Sequence, residues 1–322
     1  MANFNKKLSL IIKAVSILLV GLLIYAGGCF WVLREDARLN STYESAIQCK
    51  FEKLKSTDEP KIIIIGGSNA GFGINSDLLE KETGYAVVNM GLHGGFGQLF
   101  NTEIARNYIN DGDIVILAYE YGISDATFEK FGDLDLIMVG LNGNLSMYKE
   151  LPLKNIPEVL GNIPSYFEYK TEKKIALSSV YSINSFDEHG NMIYTRDSSA
   201  MPDYEDNIDE YGGLVYGDTL LSEDNDFEYL VKLRRFIEKR GATVYFAAPV
   251  LLKDAYIGTD ENLVYYYEQI EKATGIKCIS NPSDYLFPMD HMYDTIYHCN
   301  DLGEKTRTER LANDLKRNGI VD

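Results

Sequence analysis

The chain has 322 residues, a hydrophobic fraction of 45% and a formal net charge of −17. Residues 1–33 carry three lysines and no acids, so the remainder sets 28 basic against 48 acidic side chains, a balance of −20. That excludes a nucleic-acid-backbone binder, which needs a basic footprint, and describes a solvated domain whose bulk is repelled by anionic surfaces.

Residues 14–33 (AVSILLVGLLIYAGGCFWVL) are an uncharged run of 20. At about 1.5 Å per residue they reach roughly 30 Å, the hydrocarbon thickness of a bilayer. Lys6, Lys7 and Lys13 precede the run, so the positive-inside rule puts residues 1–13 in the cytoplasm and the rest outside. A cleaved signal peptide is the rival reading. The run exceeds a usual signal core and lacks a small-x-small site before polar sequence, so an uncleaved anchor is expected. Residues 34–59 read as a juxtamembrane helix or linker ending at Pro60. Cys29 lies in the span. Cys49, Cys278 and Cys299 remain, and three thiols cannot all pair in an oxidising exterior; which of them pair stays open. No Cys/His cluster has metal spacing, and neither a metal nor a cofactor is expected.

The rest, residues 60–322, reads as one α/β domain. Four isoleucines in Lys61–Gly66 make a strand buried on both faces. Residues 74–84 form a helix capped by Asn75 or Ser76 and stopped by Gly84. Residues 85–90 are a second strand, 91–97 a glycine-rich turn, 98–110 a helix and 114–119 a third buried strand. This strand–helix alternation with short connections is the pattern of parallel crossovers. Residues 123–224 break it with Pro152, Pro157 and Pro164 and a hairpin over 185–195, and read as an insertion over the sheet. The rhythm then resumes with a helix at 226–240, a strand at 243–248, a helix at 261–274, a short fifth strand at 277–280, an irregular loop at 281–300 and a closing helix at 302–319. The expected fold is a three-layer α/β/α sandwich on a five-stranded parallel, flavodoxin-like sheet, with an N-terminal transmembrane helix.

Ser68, in the turn GGSNAGFG after the first strand, sits where parallel sheets place their chemistry. A dinucleotide loop is one reading, but Ser68 replaces the second glycine and the second strand ends without an acid for a ribose. A Walker loop is excluded, since no Gly-Lys-Ser/Thr occurs. The nucleophile elbow G-x-S-x-G fails at Ala70 and needs a preceding strand. A serine nucleophile on the first strand remains, and it demands a late aspartate and histidine. DTIYHCNDLG supplies Asp294 and His298, with His291 and Asp290 as substitutes nearby. A serine hydroxyl is a poor nucleophile without such a base, so the residues stand together.

These blocks resemble those of the SGNH/GDSL hydrolase superfamily over about residues 60–125 and 225–320. GGSNAGFG looks like its first block, with Gly67 in place of the usual aspartate; NMGLHGG, with Gly91, looks like its second; DTIYHCNDLG looks like its last. The resemblance implies Ser68 as nucleophile, His298 as base, Asp294 as its orienter, and the N–H groups of Ser68 and Gly91 as oxyanion donors. Glu120 stands near the place of the asparagine of the third block, where a carboxylate would repel an oxyanion. Asn69 and Asn89 are candidate replacement donors, and His93 a site-lining residue. Three residues separate Asp294 from His298, where the family has two. An anchored extracytoplasmic domain is most similar to the membrane-tethered proteins of alginate O-acetylation and teichoic-acid D-alanylation. That implies an acyltransferase or esterase acting on a cell-surface polysaccharide or glycopolymer, partnered by a membrane-bound O-acyltransferase. The alternative is a catalytically inactive scaffold or binding subunit of a surface-polymer complex; a signalling ectodomain lacks a cytoplasmic domain to signal through.

Overall fold

The computed structural model describes residues 2–172, 178–221 and 225–322. Met1 and parts of the expected insertion, 173–177 and 222–224, lie outside the described residues. In chain order the elements are α1 (Ala2–Leu33), α2 (Ala46–Ser56), β1 (Lys61–Gly66), α3 (Ser68–Gly73), α4 (Ser76–Thr83), β2 (Ala86–Gly91), α5 (Gln98–Arg106), β3 (Ile114–Ala118), α6 (Leu134–Gly140), α7 (Ile156–Gly161), α8 (Ile163–Glu172), β4 (Val215–Tyr216), α9 (Glu228–Lys239), β5 (Thr243–Phe246), β6 (Leu251–Leu252), β7 (Tyr256–Ile257), α10 (Asp260–Thr274), β8 (Leu286–Phe287) and α11 (Asp301–Arg317).

The main sheet is parallel, with strand order β2-β1-β3-β5. The isoleucines of β1 divide by their two-residue period. Ile62 and Ile64 pack with α3, α4 and α11, while Ile63 and Ile65 pack with α2, α5, α9 and α10. Helices on both faces make the three layers. From β1 the chain steps out to β2 and then crosses back to β3 on the other side. The carboxyl ends of β1 and β3 therefore open a crevice at the switch point, where ligands of open parallel sheets bind.

The fifth strand is absent. Segment 277–280 contributes one parallel bridge, Phe246 to Cys278. In it the Phe246 N–H donates to the Lys277 carbonyl, and the Ile279 N–H to the Phe246 carbonyl, each at 2.9 Å. β5 ends at Phe246, and the chain beyond turns through Pro249 into β6, which pairs with β8; the segment finds only one residue to pair with. Other boundaries moved by smaller amounts. Asn75 caps α4 by accepting from Leu78 N, and Gly84 ends it at φ 72°. The hairpin over 185–195 is reduced to the antiparallel bridge Phe186–Met192.

α1 is one unbroken helix from Ala2, and its stretch Lys6–Leu33 is long and apolar enough to cross a membrane. α2, in the expected linker, buries Ile47, Phe51 and Leu54 on one helical face in the main core, so the folded unit takes in residues ahead of Pro60. All four cysteines are free thiols.

Candidate active site

β1 ends in Gly66, and Ser68 opens α3 directly after it, with Gly67 as N-cap. Ser68 is partly exposed at the crevice mouth. Its Oγ lies 2.8 Å from His298 Nε2, and His298 Nδ1 lies 2.8 Å from Asp294 Oδ1. Three side chains separated by up to 230 residues are thus in one hydrogen-bonded line. An ionised carboxylate only accepts, so Nδ1 carries the imidazole proton and Nε2 is left bare toward the serine hydroxyl. Burial pushes the Asp294 carboxyl up, but its bond to His298, the imidazole's charge and the Tyr181 hydroxyl outweigh that and hold it below the usual carboxylate range.

The spacing of Asp294 and His298 has a local cause. Met292 and Cys299 form an antiparallel bridge that closes the loop, and the Tyr293 N–H donates to the His298 carbonyl at 2.8 Å. The His298 N–H donates to Thr295 Oγ1 at 3.2 Å. The third intervening position is absorbed by Ile296, whose side chain is fully buried. Its backbone is pinned from both sides: its N–H donates to the Tyr211 carbonyl at 2.9 Å, and its carbonyl accepts from Leu252 N at 2.8 Å.

Several residues that sequence reasoning missed hold this line in place. The Tyr181 hydroxyl donates to Asp294 Oδ2 at 2.7 Å. Phe72 lies under the His298 ring, nearly parallel at 5° with centroids 4.1 Å apart. Phe72 is four residues after Ser68 on α3, so the two share a helix face; that spacing was a usable signal. The Arg196 guanidinium, fully buried, donates to the carbonyls of Phe72 (2.8 Å) and Cys299 (3.0 Å), and pairs with Glu304. It thereby ties α3 to the loop that carries His298. Burial pushes the Glu304 carboxyl up to about 7 against the pull of Arg196. Tyr181 and Arg196 come from the insertion, where no motif marks them.

The expected oxyanion donors rearrange. Gly91 N–H donates to Asn89 Oδ1 at 2.8 Å and is engaged. The Asn89 amide donates to the carbonyls of Ala70 (3.0 Å) and Ile74 (2.9 Å). Asn69 is equally committed: its amide donates to the Ala118 carbonyl at 3.2 Å and to Glu120 Oε1 at 3.3 Å, and its Oδ1 accepts from Arg307 at 3.0 Å. Gly91 is needed for another reason: a Cβ there would meet Gly71 N and, at 2.7 Å, the Ala70 carbonyl carbon. Gly94 is the residue beside Ser68, where a Cβ would lie 3.9 Å from Ser68 Oγ. Ser68 and Gly94 each open a helical turn, so neither N–H has an acceptor within its own turn. His93 caps the Gly94 turn, its Nδ1 accepting from Gly95 N at 2.9 Å. Burial pushes the His93 imidazole down, with Glu44 opposing and His298 adding to the fall.

Glu120 follows β3 and flanks the Gly67 backbone, with Oε1 3.3 Å from where a Gly67 Cβ would stand. Burial raises its carboxyl above the ordinary range, against His298, Asn69 and Arg307. His291 and Asp290 pair with each other at 2.8 Å. Among the described residues no group of three His, Cys, Asp or Glu could hold a metal.

No known protein family and no curated protein matches the chain. Among solved structures it is similar to that of protein YxiM from Bacillus subtilis, at 14% identity over 81% of this chain and 58% of that one, with a TM-score of 0.34. The chain spans 58% of the length of that structure, and a likeness at this level assigns neither family nor activity.

Proposed function

We propose that the protein is a membrane-anchored, extracytoplasmic serine acyltransferase or esterase of the SGNH type, modifying a cell-surface polysaccharide or glycopolymer. The observation that carries the chemistry is the continuous line from Ser68 Oγ through His298 to Asp294, with both contacts at 2.8 Å. His298 Nε2 takes the hydroxyl proton as Ser68 Oγ attacks an ester or thioester carbonyl. The Ser68 N–H, which has no acceptor within its own turn, is the donor offered to the oxygen that gains charge, and the Gly94 backbone lies beside Ser68 Oγ. The imidazolium, held by Asp294, returns its proton to the leaving group, and an acyl-serine remains. A sugar hydroxyl or water, deprotonated by His298, then attacks that acyl group, and Ser68 recovers its proton.

The anchor supports transfer over secreted hydrolysis, because it keeps the domain beside a membrane-borne donor. The membrane-bound O-acyltransferase partner and the external orientation rest on the resemblance of the blocks and on the lysines ahead of α1. Glu120 favours a second reading, an inactive scaffold of a surface-polymer complex, since a carboxylate stands by the nucleophile turn. A serine-directed fluorophosphonate separates the two. Labelling of the wild type but not of Ser68→Ala supports the enzyme; an unlabelled, fully folded wild type refutes it and leaves the scaffold.

A further inference from the structure

The membrane end of the molecule holds a second set of polar groups that the serine chemistry does not use. Where α1 meets α8 there is a cleft of about 490 Å³ whose walls include Trp31, Arg34, Glu35, Arg38, Phe167 and Lys170. Trp31 and Phe167 meet at 5.9 Å between ring centroids. Lys170 Nζ donates to the carbonyls of Val32 and Arg34, both at 3.0 Å. It thus caps the last turn of α1, where a cation complements the helix dipole. The Arg34 guanidinium stands 5.6 Å over the Trp31 ring. The acids on the wall are engaged: Asp36 pairs with Arg38 at 2.7 Å, and Glu35 accepts from Asn40 Nδ2 at 2.6 Å. Arg34 and Lys170 remain as cations bonded to no carboxylate among the described residues.

Depth decides what such a cleft can meet. The apolar run of α1 ends at Leu33, so with α1 across a bilayer the hydrocarbon ends there, and the residues just beyond sit among headgroups. Tryptophan, arginine and lysine are the side chains that favour that level. The rest of the chain after residue 33 carries −20 and is repelled by an anionic leaflet, which leaves this cleft as a local exception.

We propose that the cleft between α1 and α8 binds the phosphodiester headgroup of an anionic phospholipid. Arg34 and Lys170 meet the phosphate, and Trp31 and Phe167 line the passage to the acyl chains. The bound lipid fixes α8 against the bilayer. α8 packs through Ile163 and Tyr166 on Met138 and Val139 of α6, so the bound lipid also orients the domain on the membrane. This rests on α1 spanning the membrane and not on the acyl chemistry.

Trp31 is the only tryptophan of the chain, so its fluorescence reads this cleft alone. The full-length protein is reconstituted in phosphatidylcholine vesicles containing a minor fraction of either phosphatidylglycerol or phosphatidylcholine brominated high on the acyl chain. Brominated phosphatidylglycerol is expected to compete for the site about thirty-fold more effectively, the equivalent of about 2 kcal/mol for two basic residues at about 1 kcal/mol each at a membrane surface. In Arg34→Gln the preference falls, and in Arg34→Gln/Lys170→Gln it disappears. The Arg34→Gln variant keeps the α1 cap, so its outcome does not depend on a disturbed fold. Equal quenching by the two lipids, quenching by neither, or a preference that survives both substitutions overturns the proposal. Fluorophosphonate labelling of Ser68 in the same samples is read separately. Its absence refutes the serine reading and leaves the quenching result standing.

Discussion

Replacing Asp294 by asparagine tests the catalytic line at its quietest member. The carboxylate is 2.8 Å from His298 Nδ1. Two unit charges at that distance attract by about 6 kcal/mol at an effective dielectric of about 20. Asp294 shares its charge with the Tyr181 hydroxyl, and its side chain is 18% exposed, so roughly two thirds, ~4 kcal/mol, is a reasonable share after solvent screening. At about 1.4 kcal/mol per decade that is ~10³-fold in the rate of serine attack. The tautomer adds to it. An asparagine amide turned toward Nδ1 donates rather than accepts, so the imidazole proton moves to Nε2 and faces Ser68, where no base is left. The expected fall in the fluorophosphonate reaction rate of Asp294→Asn is therefore about 10³- to 10⁴-fold, with the fold intact by circular dichroism. A variant within about three-fold of wild type, well inside the range a mere contact change produces, would show that Asp294 and His298 do not act together. Stability supplies a second reading of the same pair. The folded carboxyl lies below its unfolded value. Its contribution is therefore present above the unfolded pKa and is lost as the pH falls through the folded one. Wild type is expected to lose more stability than Asp294→Asn on acidification below about pH 4, measured by urea unfolding.

Tyr181→Phe removes the hydroxyl that donates to Asp294 Oδ2 at 2.7 Å; a hydrogen bond to a charged group is worth about 1.5–3 kcal/mol, and a rate loss of about ten-fold is expected. The carboxyl pKa rises in that variant, so the pH–rate profile shifts along with the rate, which a merely structural change would not produce. Glu120→Gln takes a carboxylate away from the Asn69 amide and the Gly67 backbone; the labelling rate is expected to rise about ten-fold if charge there opposes the oxyanion, and an unchanged rate would remove Glu120 from the site's electrostatics. Gly91→Ala and Gly94→Ala should part company. The first drives a Cβ into the α3 backbone and is expected to lower stability by about 1–3 kcal/mol or more in thermal unfolding. The second adds a Cβ in ordinary contact 3.9 Å from Ser68 Oγ, and is expected to fold normally while slowing the serine by occupying the space of the acyl group.

Much of this molecule could be read before it was folded. The run 14–33 announces a helix that water cannot accommodate alone, and Lys61–Gly66 announces a strand with both faces buried, because these patterns are set by hydrophobic burial and chain periodicity. Both are local properties. The block resemblance also brought Ser68, His298 and Asp294 to notice, since each stands at a strand's carboxyl end or in the last loop. What the sequence could not decide were the partners made by distance in the fold. Gly91 looked like an oxyanion donor, but its N–H belongs to Asn89, and the glycine is there to let α3 approach β2. Gly94, three residues on, is the glycine whose backbone lies beside Ser68 Oγ. The fifth strand failed because β5 ran out of backbone to pair with, which depends on where the chain goes after Pro249. Tyr181, Arg196 and Phe72 were invisible or unremarked because buried polar groups and ring stacks take their meaning from neighbours brought in from more than a hundred residues away, or across a helix face. Periodicity dictated which residues are inside; only the packed structure decided which hydrogen bond each of them makes.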